Sequence, residues 1–206
     1  MFTVGPFQEN TYLVRADGAG KALLIDPGDE APKLQAAMDE LGVTPEAILL
    51  THTHIDHIGA VAAIASATGA PVYCPRKELT VLADPSRFFP PDWGTVDPWE
   101  AEHALDGGER LQLAGLDIDV ISTPGHSPGH VTFAIEGALF SGDVLFQNSI
   151  GRTDLPGADH ATLMASIADL LERFDDATTV HPGHMGLTTL GRERATNPFL
   201  QALAGR

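Results

Sequence analysis

Cysteine is nearly missing from this chain of 206 residues: Cys74 is the only thiol, which excludes an internal disulfide framework. Basic residues are scarce as well. Twelve Lys and Arg stand against 28 Asp and Glu, for a net charge of −16. Such a surface repels phosphate backbones and excludes nucleic acid as an expected partner, while a small anionic substrate remains compatible if a local arginine meets it. No apolar run approaches the roughly 20 residues needed to span a bilayer, so no membrane partner is expected. Met1-Phe2-Thr3-Val4-Gly5-Pro6 has neither a basic segment nor an apolar h-region, so no secretory signal is expected and a cytoplasmic location follows by default.

Hydrophobic residues make up 43% of the chain and charged residues 19%, which is enough to bury a core in one globular domain spanning residues 1–206. Strand-like segments are expected at 10–15, 22–25, 47–50, 71–74, 110–113, 116–121, 131–135, 138–140 and 178–180. Helical spacing predicts helices over 31–41, from the histidine loop to about Thr68, over 160–174 and over 191–203. Residues 75–108 carry Pro75, Pro85, Pro90, Pro91 and Pro98 together with Phe88, Phe89, Trp93 and Trp99. Two readings fit that stretch: a lid or pocket wall, or an excursion that packs on the core. The interleaving of strand–helix units with a strand meander is a layered α/β pattern.

What the chain does have is histidine in the right places. Thr51-His52-Thr53-His54-Ile55-Asp56-His57 follows directly on an apolar strand. Neutral imidazole and carboxylate are donors that divalent zinc, iron and manganese accept. Residues two apart in extended backbone face the same side, so His52 and His54 can grip one ion. Asp56 stands where a helix begins and suits an N-cap, and Asp56 and His57 are oriented to face a second ion. Three further loops follow strands in the same way. Gly125-His126 offers a ligand, while His130 opens the next strand as a structural hydrogen-bonding residue. Asp143 sits between Gly142 and apolar residues, where a carboxylate bridging two cations escapes the cost of burial. His181-Pro182-Gly183-His184 offers two imidazoles, between which position alone does not choose.

Taken in order, His52-X-His54-X-Asp56-His57, Gly125-His126, Gly142-Asp143 and Pro182-Gly183-His184 resemble the metallo-β-lactamase superfamily from about Phe7 to Leu200. The resemblance implies a four-layer αββα sandwich of two mixed β-sheets flanked by helices, with a metal site at one edge. Gly5 to Tyr12, Ser149 to Asp154 and Thr196 to Leu200 look most like short glyoxalase II-like hydrolases. Carried over residue by residue, this implies that His52, His54 and His126 hold one divalent ion, that Asp56, His57 and His184 hold another, and that Asp143 bridges them. Zinc is the first expectation, with iron or manganese compatible. Asp26, in the Asp-Pro-Gly turn, would orient a ligand imidazole, His181 would stand behind the ligands, and Arg152 would contact the thiol carrier's carboxylate. Asp56 and Asp143 would also serve catalysis. The implied activity is hydrolysis of a small thioester, such as S-2-hydroxyacylglutathione or a related thiol conjugate, by a metal-bridging hydroxide. The alternative is a mononuclear-iron persulfide dioxygenase using His52, His126 and Asp143. The chain departs from the family in having Met185 where glycine usually follows the last ligand, and it ends without the helical C-terminal domain of the longer glyoxalase II enzymes.

Overall fold

The computed structural model describes residues 1–201. Its first sheet is built from β1 (Phe2–Val4), β2 (Glu9–Val14), β3 (Lys21–Ile25), β4 (Thr44–Leu49), β5 (Val72–Pro75) and β6 (His103–Leu105), paired in that order. Pairing is antiparallel up to β3 and parallel from there on. Between these strands lie α1 (Ala31–Leu41), α2 (Ile55–Ile58), α3 (Val61–Thr68) and, after β5, α4 (Leu79–Ala83). The second sheet uses β7 (Arg110–Leu113), β8 (Leu116–Ser122), β9 (Val131–Ile135), β10 (Ala138–Gly142), β13 (Thr179–Pro182) and β14 (Thr188–Thr189), in the spatial order β14-β13-β10-β9-β8-β7. A small hairpin of β11 (Leu145–Phe146) and β12 (Ser149–Ile150) follows β10, and α5 (His160–Arg173) and α6 (Leu190–Thr196) complete the elements.

Period-two burial explains the layering. Leu23, Ile25, Ala47 and Leu49 face the second sheet and pack on Ile118, Val120, Phe133 and Ile135. Their neighbours Leu24, Ile48 and Leu50 face the other way, onto Leu34 and Met38 of α1 and Ile64 of α3. Leu139 and Val180 do the same on the second sheet, against Leu163, Ile167 and Leu170 of α5. Strands buried on both faces read as continuous apolar runs, and here they do. The fold is therefore α/β, an αββα sandwich of two mixed sheets.

Several expected boundaries move. The helix expected to run unbroken to Thr68 is two pieces, because Gly59 passes against the Gly28 backbone and Ala60 N–H donates to the Pro27 carbonyl at 2.9 Å. Asp56 is not the N-cap: His54 is, in extended backbone, and Asp56 sits in the first turn of α2. The last helix covers Leu190–Thr196 rather than 191–203, since Pro198 pushes Asn197 out of the α region (φ −70°, ψ 119°); positions 202 and 203 lie outside the described residues. Residues 75–108 hold α4, β6 and three single 3₁₀ turns instead of loop alone. Phe89, Val96 and Trp99 of this stretch pack on the core, while Phe88 and Trp93 stay 49% and 44% exposed.

Candidate metal centre

Four strands deliver the site because their C-terminal ends share one edge. In the second sheet β8 and β10 both run antiparallel to β9, and β13 runs parallel to β10, so the residues after Ser122, Gly142 and Pro182 emerge together. The loop after β4 is brought to the same edge by Val131 N–H donating to the Thr51 carbonyl at 2.9 Å. Asn10 N–H reaches the Gly183 carbonyl at 2.7 Å, which ties the start of β2 to the loop after β13. Gly183 is required there: a Cβ would collide with Asp143 Oδ1 and the His57 ring.

His52, His54 and His126 form one cluster of donor atoms, and Asp56, His57 and His184 form another. The protonation of the buried imidazoles follows from their partners. Thr51 Oγ1 has one proton, which goes to the acceptor Asp26 Oδ2 at 2.6 Å, so the hydroxyl accepts from His52 Nδ1 at 3.0 Å. His126 Nδ1 donates to the Arg152 carbonyl at 2.8 Å, and His57 Nδ1 donates to Asp26 Oδ2 at 3.0 Å. Nε2 of His52 and of His126 therefore presents a lone pair inward. His54 Nδ1 lies 3.1 Å from the first and 2.8 Å from the second. Burial and the adjacent His126 imidazole push His54 down to about 3, so it is neutral at neutral pH, and with its single N–H on Nε2 its Nδ1 adds a third lone pair. Converging imidazole lone pairs are the donor set of a divalent cation.

Asp143 stands between the two clusters. Its Oδ2 is 3.4 Å from His126 Nε2 and 3.5 Å from His184 Nε2, and its Oδ1 is 3.4 Å from His57 Nε2. His184 Nε2 is also 3.2 Å from Asp56 Oδ2. His57 Nε2 and Asp143 Oδ1 are buried with no hydrogen-bond partner among the described residues. Two orphaned buried atoms 3.4 Å apart, an imidazole nitrogen with its Nδ1–H already given to Asp26 and a carboxylate oxygen, are what an ion would satisfy. Against the opposing effect of burial, Asp143 and Asp56 raise His184 to about 10 and hold His57 well above the usual imidazole range. Asp143 itself, despite its burial, is held well below the usual carboxylate range by His57 and His184. The cavity's carboxylates thus call for positive charge at this point, as a proton or as a cation.

Behind the donors lies a supporting layer that is only partly legible in sequence. Asp26 takes left-handed backbone (φ 47°), a strained conformation for a non-glycine residue, and its carboxylate accepts from Thr51 N–H, Thr51 Oγ1 and His57 Nδ1. His130 Nε2 accepts the Asp143 N–H at 3.1 Å. Glu78 escapes a sequence reading altogether. Fully enclosed, it accepts from Thr53 Oγ1, Ser127 Oγ and Gly129 N–H, each at 2.8 Å, and so staples the His52–His57 loop to the His126 loop. Glu9 is equally buried, its carboxyl pushed well up by burial, with Oε1 3.9 Å from His57 Nδ1. Arg152 lies beside the cluster, but what reaches His126 is its carbonyl; its exposed guanidinium is bidentate on Asp154 at 2.7 Å. His181 points elsewhere, stacking on Phe140 at 4.7 Å and meeting Tyr12 edge-on at 5.5 Å.

The model of the metallo-β-lactamase superfamily matches residues 4–184. This chain belongs to that superfamily. Among curated relatives, it is 39% identical to the probable metallo-hydrolase YqgX of Bacillus subtilis, over 98% of this chain and 96% of that one. It is 36% identical to the hydroxyacylglutathione hydrolase GloC of Haemophilus influenzae, over 97% of this chain and 96% of that one. Among solved structures, the BLEG-1 B3 metallo-β-lactamase superposes with a TM-score of 0.90 at 42% identity, covering 96% of this chain and 97% of that chain. TTHA1623, solved in a di-iron-bound form, gives 0.85 at 46% identity, covering 97% and 98%. The protein is a metallo-hydrolase of this superfamily, with His/Asp clusters suited to divalent ions. Among the described residues, no helix is long and apolar enough to cross a membrane.

Proposed function

We propose that this chain hydrolyses small thioesters of the S-2-hydroxyacyl type using two divalent ions. His52, His54 and His126 would hold one ion, Asp56, His57 and His184 the other, and Asp143 would bridge them. The observation that carries this reading is the contact of Asp143 with an imidazole from each cluster, His126 at 3.4 Å and His184 at 3.5 Å. A one-ion dioxygenase built on His52, His126 and Asp143 would leave Asp56, His57 and His184 without a role. Zinc is the first choice, with iron or manganese compatible with histidine and aspartate donors; the di-iron-bound form of TTHA1623 supports iron as the alternative. The thioester assignment is supported by likeness to the hydroxyacylglutathione hydrolase GloC.

When bound, an ion pair supplies Lewis acidity and a nucleophilic hydroxide at neutral pH. The chain's own residues supply orientation and proton handling. Asp26, the Thr51 hydroxyl and the Arg152 carbonyl hold three imidazoles in the Nδ1–H tautomer with Nε2 turned inward. Asp56, 3.2 Å from His184 Nε2 and, despite its burial, held below the usual carboxylate range by His57 and His184, would stay ionised and accept a hydrogen bond that orients the attacking water. The Arg152 guanidinium, at the surface beside His126, would exchange Asp154 for a carboxylate of the thiol carrier. A covalent route through Cys74 has no support: the thiol is buried, raised by that burial and 3.6 Å from the Pro75 carbonyl.

The test is a substrate panel on purified, metal-analysed protein. Thiol release from S-lactoylglutathione is expected with kcat/KM above about 10⁴ M⁻¹ s⁻¹. Nitrocefin belongs in the panel because of the likeness to BLEG-1, and its turnover is expected to be at least a hundredfold slower. Oxygen uptake with glutathione persulfide in place of thiol release would instead establish the dioxygenase.

A further inference from the structure

One short hairpin connects the parts of the candidate centre. The chain leaves Asp143, and Phe146 on β11 brings its ring edge-on to His184 at a centroid distance of 5.9 Å. On the return, Gly151 N–H donates to the Val144 carbonyl at 3.2 Å, and the Arg152 carbonyl then accepts from His126 Nδ1 at 2.8 Å. A Cβ on Gly151 would collide with the Asp143 carbonyl, so the returning chain passes directly against the bridging residue. The segment from Asp143 to Arg152 thus meets one imidazole of each cluster and carries the carboxylate that stands between them.

This hairpin cannot hold its own position. Its strands pair through two residues each, Leu145 with Ile150 and Phe146 with Ser149. A two-stranded ribbon standing alone is marginal at best in water. Leu145 and Ile150 join the core beneath α5, which fixes the base. The turn is fixed from α6 and the residue after it. Glu193 is fully buried, and its Oε2 accepts from the Asn148 N–H at 2.7 Å and from Asn197 Nδ2 at 2.9 Å. Asn197, equally buried, gives its second amide hydrogen to the Ser149 carbonyl at 3.0 Å. Glu193 Oε1 accepts from Thr188 Oγ1 at 2.5 Å, which ties the same carboxylate to β14. An apolar contact would anchor a turn as well. What a buried, fully paired carboxylate and amide add is direction, because their hydrogen bonds fix Asn148 and Ser149 in register.

Resting on the two-ion reading of the centre, we infer that Glu193 and Asn197 are positioning residues: through the hairpin they set His126 and His184 about Asp143 and so govern the affinity for both ions. Neither side chain is hydrogen-bonded to a candidate ligand among the described residues, so both act through the hairpin. The near-terminal segment from Thr196 to Leu200 thereby gains a task at the centre.

In the experiment, metal-stripped protein is titrated with zinc against a chelator of known affinity. Asn197→Ala is expected to weaken both ions at least tenfold, the scale of loss when a support behind a metal ligand is removed. Glu193→Gln is expected to stay within about threefold of wild type, because its amide oxygen can still serve Asn148 and Asn197 while its Nε2 donates to Thr188 Oγ1. Met38→Ala controls for lost stability; it lies in the core between the first sheet and α1, shares no cluster with the hairpin and is expected to bind zinc as wild type does. Where Asn197→Ala does not fold, Asn197→Ser replaces it, its hydroxyl too short to span to Ser149. A readout free of metal is the His126 Nδ1–H proton resonance of the stripped protein, expected to be sharp in wild type and Met38→Ala and exchange-broadened in Asn197→Ala. Zinc affinity in Asn197→Ala within about twofold of wild type at either ion, an equal loss in Met38→Ala, or an unaltered His126 resonance overturns the inference. If wild type takes up fewer than two zinc ions yet Asn197→Ala still broadens the His126 resonance, the hairpin clamp stands and the two-ion reading falls.

Discussion

The His126 imidazole is held by Arg152 through the backbone: Nδ1 donates to the Arg152 carbonyl at 2.8 Å, while the guanidinium turns away to Asp154. One residue thus contributes two separable things, an oriented donor and a surface cation. Arg152→Ala keeps the carbonyl, so metal content is expected to be unchanged. The KM for glutathione thioesters is expected to rise about tenfold, the equivalent of ~1.4 kcal/mol, with kcat within about twofold. Asp154→Asn frees the guanidinium and is expected to lower KM. Steady-state kinetics with metal analysis checks both.

Asp143 touches both imidazole clusters, so removing its charge should disable the centre rather than loosen one ion. Asp143→Asn preserves volume and is expected to reduce kcat at least 10³-fold, about 4 kcal/mol of lost transition-state stabilisation. His54→Ala is expected to be as damaging, and His184→Ala to leave one tightly held ion per chain. Circular dichroism confirms the fold while plasma emission counts the metal.

Glu78 accepts three hydrogen bonds from two loops that carry ligands. Glu78→Ala leaves Thr53, Ser127 and Gly129 without their buried acceptor. A loss of roughly 3 kcal/mol is expected, a fall in Tm of about 6–12 °C for a chain of this size, with weaker metal binding. Glu78→Gln, which keeps one acceptor oxygen, is expected to recover about half. Calorimetry with and without added metal separates the two effects.

In metal-stripped protein the buried histidines set the pH dependence. His54 titrates near 3 when folded and near 6.5 when unfolded, so between those values the unfolded chain binds the extra proton. Stability therefore falls as pH drops from 6.5 toward 3, by roughly 3–5 kcal/mol from this residue. His184 titrates near 10 when folded, so its contribution is complete below 6.5 and is lost as pH rises to about 10. The urea midpoint of the stripped protein is expected to peak near pH 6.5 and fall on both sides. Added divalent metal is expected to flatten the alkaline limb, because a cation replaces the proton on His184.

The clustered histidines and aspartates were legible in the sequence because ligand chemistry is written in residue identity. His52 to His57, Gly125-His126, Gly142-Asp143 and Gly183-His184 each follow an apolar strand, and parallel strand ends are where a sandwich exposes its loops. The layering was legible for the same reason, from continuous apolar runs such as Leu23 to Ile25. What was hidden depends on contacts distant along the chain. Nothing near Glu78 hints that Thr53 and Ser127 converge on it, and no side-chain pattern reports that Arg152 acts through its carbonyl. The break in the second predicted helix needed the Gly28 backbone, 31 residues before Gly59, to be placed against it. Asp56 has the right chemistry for a cap but is turned to His184 instead. Met185 shows the reverse, a departure visible in sequence whose consequence the structure shows: it stands at φ 69°, the left-handed backbone that a glycine would take without strain.

Two ions are expected to act together through Asp143. Metal-stripped protein titrated with zinc, with thiol release from S-lactoylglutathione followed at each addition, tests it directly. Activity is expected to reach its maximum at two ions per chain, with little turnover below one. A maximum at one ion per chain, or no thiol release at two, would contradict it.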